Sequence, residues 1–78
     1  MTAQTVLLRE LIAEFEIDAA GARSGLTRAE ASRAWRARYG AELPRGAFDR
    51  LSEYRQIKPL PRRACAITGQ RHHAWVPA

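Results

Sequence analysis

Arginine and histidine side chains, rather than any catalytic set, are what this sequence offers to chemistry. From Arg55 onward there are five basic residues, Arg55, Lys58, Arg62, Arg63 and Arg71, and no acidic one. Residues 1–54 carry eight basic side chains (Arg9, Arg23, Arg28, Arg33, Arg36, Arg38, Arg45, Arg50) and eight acidic ones (Glu10, Glu14, Glu16, Asp18, Glu30, Glu42, Asp49, Glu53), which cancel. The net charge of +5 is therefore confined to the last third of the chain. Charge segregated in this way is the electrostatic footprint expected for a polyanionic partner, although a basic tail that only promotes solubility would give the same sum.

Two other constellations fail on geometry. Cys65, His72 and His73 are donor types suited to zinc, but adjacent residues on a strand point to opposite faces and no fourth ligand lies near. A Cys–His nucleophile pair lacks an evident oxyanion hole or cleft in a domain of 78 residues. Cys65 reads instead as a small buried hydrophobe. We expect no enzyme, no metal and no cofactor. A single cysteine excludes an intramolecular disulfide, and the first residues combine neither a basic segment nor a long apolar run, so a cytoplasmic, nucleoid-associated protein is expected. No apolar stretch approaches the ~20 residues of a membrane-spanning helix.

The elements that must position these side chains read as mainly α with one small β-hairpin, in a single domain over residues 1–78. Val6, Leu7, Leu8, Leu11, Ile12 and Phe15 recur at helical spacing without Gly or Pro, which predicts a helix over about residues 2–20. Leu11 and Phe15 are assigned to the core. Val6, Ala13 and Ile17 fall on the opposite side and would form a dimer seam, unless Ile17 folds back at the helix end and Val6 is simply exposed. Gly21 fits a C-cap. Thr27-Arg28-Ala29-Glu30 is a capping box opening a second helix over 27–39, closed by Gly40 and carrying Trp35 on its core face. Pro44 suits the first position of a third helix over 44–56, with Ala47, Phe48, Leu51 and Tyr54 inward. Pro59 and Pro61 are expected to stop helical structure after Ile57. Two short runs flanking Thr68-Gly69-Gln70-Arg71 then predict a hairpin over 63–76, with Arg71 at its tip and Trp75 anchoring the returning strand.

Three helices followed by a basic hairpin is the order of the winged helix-turn-helix domain, and local motifs resemble that family. Leu26-Thr27-Arg28-Ala29-Glu30-Ala31 looks like the start of its second helix. Arg50-Leu51-Ser52-Glu53-Tyr54 is similar to the segment that often closes its third. Thr68-Gly69-Gln70-Arg71 with Ala74-Trp75-Val76-Pro77 resembles the wing of small bacterial and phage members. The turn between the second and third helices is longer than the tightest version, and Tyr54 replaces an aliphatic residue.

The resemblance implies a double-stranded DNA-binding regulator of transcription, of bacterial or bacteriophage origin, with the third helix in the major groove and the wing on the backbone. Arg45 is then the foremost base reader, since a guanidinium bonds O6 and N7 of guanine together. Gly46 would permit close approach, and Asp49, Ser52 and Gln56 complete the reading face. Asp49 would either accept from cytosine N4 or pair with Arg45 one turn away. Thr27 and Arg28 would hold a phosphate at the start of the second helix. Arg50, Lys58, Arg62, Arg63, Arg71 and His72 would grip the backbone, supplying affinity more than sequence choice. Asp49 and Glu53 on the reading face keep a rival open: a small protein-binding module, such as a phage-encoded inhibitor gripping an acidic surface of a host protein.

Overall fold

Thr2 opens the first helix by accepting a hydrogen bond from the Thr5 amide, and the computed structural model describes residues 2–78 from there. The elements are α1 (Ala3–Glu14), α2 (Arg28–Tyr39), α3 (Ala47–Glu53), β1 (Ile57–Ala64) and β2 (Arg71–Pro77). Three helices and one antiparallel two-stranded hairpin are thus present in the expected order, with different bounds.

Helix α1 buries Thr5, Leu8, Leu11 and Ile12 but stops at Glu14 instead of continuing to residue 20. Non-local hydrogen bonds win over helical spacing there. The Phe15 carbonyl accepts from Gly25 N–H at 2.9 Å and the Glu16 carbonyl from Ser24 N–H at 2.8 Å. Ile17 forms a β-bridge with Arg23, and the Asp18 carboxylate accepts the amides of Ala20 and Ala22. Two expectations fall with this turn. Phe15 is 43% exposed and is not a core residue. Ile17 has left the helix, so Val6, Ala13 and Ile17 do not form one continuous helical stripe.

Helix α2 has the capping box in full: the Thr27 hydroxyl accepts from the Glu30 amide and the Glu30 carboxylate from the Thr27 amide. Gly40 in the left-handed region ends it. Trp35 is buried, its ring centroid 4.3 Å from that of Tyr39.

Helix α3 begins at Ala47, not Pro44. The Pro44 carbonyl instead accepts from Ala47 N–H in a turn, and Gly46, with φ of +80°, redirects the chain into the helix. That left-handed backbone favours glycine. Only Ala47, Phe48 and Leu51 of α3 are buried. Arg55, at φ +56°, then turns the chain toward β1.

The hairpin starts at Ile57, before both prolines rather than after them. Ile57 pairs with Pro77, Pro59 with Trp75 and Ala64 with Arg71, with a register shift between Pro59 and Arg62. Strand β1 has only β2 as a neighbour, so a proline lacking N–H can sit on its open edge or at the irregularity. On the other side of β2 a two-way bridge joins it to the segment before α2: Leu26 N–H donates to the Trp75 carbonyl and Trp75 N–H to that of Leu26. Gly25 makes this approach possible, since a Cβ there would lie 2.4 Å from the Trp75 carbonyl oxygen.

The core is one cluster of Leu8, Leu11, Ile12, Leu26, Ala31, Trp35, Ala47, Phe48, Leu51 and Ile57, with Leu43 and Trp75 packed against it. Phe48 meets Trp75 edge-on at 5.6 Å, which seats the hairpin on α3. No helix among the described residues is long and apolar enough to cross a membrane.

Candidate nucleic-acid interface

Ion pairing decides which cations are left for a partner. Among the described residues, Arg23, Arg28, Arg36, Arg38 and Arg63 pair with Glu16, Asp49, Glu42, Glu14 and Glu30. Of thirteen basic and eight acidic residues, this leaves eight cations, namely Arg9, Arg33, Arg45, Arg50, Arg55, Lys58, Arg62 and Arg71, against Glu10, Asp18 and Glu53. Six of those eight lie between Arg45 and Arg71, on α3, its flanking turns and the hairpin. Glu53 is the one carboxylate in that span without a cation.

The expected base readers are not all brought together. Arg45 is exposed in the turn before α3, and Asp49 is exposed on its first turn. Ser52 is half-buried, and its hydroxyl donates back to the Asp49 carbonyl, so it is occupied within the helix. Gln56 lies beyond the end of α3 and past the Arg55 turn. It borders a recess with Thr2, Arg50 and Tyr54, and its carbonyl accepts from Arg9. The helical register that placed Gln56 beside Asp49 and Ser52 therefore does not hold. Asp49 does not pair with Arg45. Its partner is Arg28, the first residue of α2, whose guanidinium carbon stands 4.6 Å from the Phe48 ring centroid.

The backbone-gripping set divides more sharply. Thr27 is 1% exposed. Its hydroxyl is committed to the Glu30 amide and to Cys65 Sγ at 3.0 Å, so Thr27 cannot hold a phosphate. Arg63 is likewise withdrawn from the surface set. Its guanidinium donates to both Glu30 carboxylate oxygens, at 2.6 and 2.9 Å, and to the carbonyls of Ser24, Gly25 and Ala64. Arg63 is a strut between hairpin and α2.

Glu30 completes that strut, also accepting from the Ala66 amide at 2.8 Å. Burial alone would raise its pKa, but hydrogen bonds from Arg63, Ala66 and Thr27 and the charge of Arg63 outweigh it and hold the carboxyl at about 2. The same pairing raises the pKa of Arg63. Cys65 is buried and free; the hydrogen bond with Thr27 lowers its pKa against the opposing effect of burial.

Lys58 and Arg62 are exposed on β1, and Arg71 opens β2 immediately after the tip, bonding the Arg62 carbonyl at 3.0 Å. The tip itself is the turn from Cys65 to Gln70, closed by hydrogen bonds from Cys65 N–H to the Gln70 carbonyl and from Gly69 N–H to the Cys65 carbonyl. His72 and His73 are exposed, and with Thr27, Arg28, Ala29, Thr68 and Trp75 they line a recess of about 320 Å³ between α2 and the hairpin. Arg50 is exposed on α3. No group of three or more His, Cys, Asp or Glu residues converges among the described residues.

Two residues that matter were not on the expected site: Glu30 as the anchor of the hairpin, and Phe48 as the support beneath Arg28. A signal for the first existed, because a capping-box carboxylate directed at a buried helix start needs a cation.

Comparison of the chain with protein-family models, with curated proteins and with solved structures returned no match.

Proposed function

We propose that the chain binds double-stranded DNA as a winged helix-turn-helix protein and acts as a regulator of transcription of bacterial or phage type. The observation that carries this reading is the distribution of uncompensated charge: among the described residues, six of the eight cations left without an ion pair, Arg45, Arg50, Arg55, Lys58, Arg62 and Arg71, are carried by α3, its flanking turns and the hairpin. The order of elements, with α2 and α3 joined by a turn and the hairpin seated on both, agrees with it. An α-helix with its side chains is about 10–12 Å across, which fits a major groove about 12 Å wide, and the seven residues of α3 would run for only about 10 Å along it. So short a helix contacts few base edges, and most affinity comes from phosphates met by the hairpin and by Arg50.

The test is a duplex titration at several salt concentrations. Neutralising ~4–5 phosphates gives a log–log slope of roughly −4. Arg62→Ala and Arg71→Ala should each weaken binding to all sequences and reduce that slope by about 1. Arg63→Ala should leave the slope unchanged, because its charge is held by Glu30. No duplex affinity at 50 mM salt would refute the proposal.

The second reading, a small protein-binding module, is favoured by one observation. A groove of about 530 Å³ lined by Phe15, Leu26, Ala34, Ala37 and Ala66, with Arg33 also lining it, lies along α2. By helical spacing it is on the flank opposite Arg28, away from α3. Unchanged duplex binding in both hairpin variants would favour this reading.

A further inference from the structure

We infer that Arg28 and Asp49 act as one unit that reads a single C·G base pair in the major groove, an inference that rests on the DNA-binding reading above. The two residues come from different helices, Arg28 from the start of α2 and Asp49 from the first turn of α3, and their side chains meet through Arg28 Nη2 and Asp49 Oδ1. Both remain more than half exposed, at 59% and 55%. The guanidinium carbon of Arg28 lies over the Phe48 ring, 4.6 Å from its centroid, and Phe48 is 2% exposed and braced edge-on by Trp75. The pair is thus supported by the core at one side and open at the other.

Among the described residues neither side chain makes a further hydrogen bond. The remaining guanidinium donors of Arg28 and the Oδ2 oxygen of Asp49 are left to a partner, donor beside acceptor. The major-groove edge of a G·C pair presents the complementary order: N7 and O6 of guanine accept, and next to them the cytosine N4 amino group donates. An A·T pair interleaves an acceptor, a donor and an acceptor, so a carboxylate placed beside the donor fork would face thymine O4 and be repelled. Reversal of the C·G pair exchanges donor and acceptors and is rejected for the same reason.

This also accounts for an acid on a face directed at a polyanion. Paired with Arg28, Asp49 adds no net charge to the surface, so it selects without opposing phosphate binding as strongly as a lone carboxylate would. Contacts of this kind separate right from wrong bases by roughly 5- to 150-fold.

The experiment is selection of random duplexes by the intact protein and by Asp49→Asn. In wild-type sites one position should be fixed as C·G. The amide in Asp49→Asn offers both a donor and an acceptor, the pattern that suits adenine N6 and N7, so that position should lose its cytosine or turn to A·T. A probe that needs no variant is N4-methylcytosine at the same position. Pairing with guanine directs its methyl group into the groove, which removes the free N4–H, and affinity should fall roughly 5- to 150-fold with the salt slope unchanged. Duplex binding with the same site preference in Asp49→Asn, or tolerance of N4-methylcytosine, overturns this inference and leaves the DNA-binding reading intact. Binding to no duplex overturns both.

Discussion

Replacing Glu30 by Gln should cost the fold about 2 kcal/mol at neutral pH, and the loss should vanish in acid. The carboxylate accepts from the Thr27 and Ala66 amides and from two Arg63 nitrogens. A carboxyl that ordinarily titrates at 4.5 and here titrates at about 2 carries on the order of 3 kcal/mol of preference for its ionised folded form. Arg63 keeps 34% of its side chain in water, which screens part of that and brings the expected figure to about 2 kcal/mol. A chain of this length is stable by roughly 4–12 kcal/mol in all, so the melting temperature should drop by about 8–16 °C.

The pH dependence follows from the direction of the change. Because the folded pKa lies below the unfolded one, the contribution is complete above 4.5 and is lost as pH falls toward about 2. Denaturant unfolding of wild type and Glu30→Gln at a series of pH values should give a stability difference that is flat from pH 7 to about 5. Below that it should shrink toward zero near pH 2. A difference that stays constant through this window, or no difference at pH 7, would refute the assignment of Glu30 as an ionised anchor.

Further outcomes follow, most of them from the same joint between hairpin and helices. Gly25→Ala combines a φ of +65° with a methyl group 2.4 Å from the Trp75 carbonyl oxygen, so it should destabilise by about 2–4 kcal/mol in thermal unfolding. Gly21→Ala, with nothing within 4 Å of the added atom, should lose about 1 kcal/mol from backbone strain alone. Cys65 is 2% exposed beneath the hairpin tip, so its reaction with a disulfide reagent at pH 7 should be slow, limited by local opening. Glu30→Gln should speed that reaction several-fold.

What the sequence displayed and what it concealed divide along local and distant interactions. The capping box at Thr27 and Glu30, the glycine stop at Gly40, and the burial of Leu11, Trp35, Phe48 and Leu51 all depend on residues within a turn or two of one another. The end of α1 does not: the apolar spacing of Phe15, Ile17 and Ala20 continues, yet the amides of Ser24 and Gly25 take the carbonyls that a longer helix would need. Asp18, a residue that binds nearby amides in turns, was the available warning. The start of the hairpin is hidden because proline reads as a breaker, whereas strand β1 has an open edge that tolerates it. Within the candidate site, the charge excess of the last third does not tell which cations are free: Arg63 belongs to it and is paired, whereas Arg45 and Arg50 lie in the balanced part and, among the described residues, are not. Arg63 and Arg62 are neighbours in sequence, and only a carboxylate 33 residues away separates their roles.

The hairpin is fastened to the helices by the Leu26–Trp75 bridge along one strand, by Trp75 against Phe48 of α3, and by Glu30 beside the tip. It therefore has little freedom to swing, and its offset from α3 is set before any partner arrives. On the proposed reading, a duplex that seats α3 must meet the hairpin at that one offset or curve until it does. The elastic work of curving differs among base steps. Deformability of the duplex would then contribute to recognition at positions that no side chain reaches.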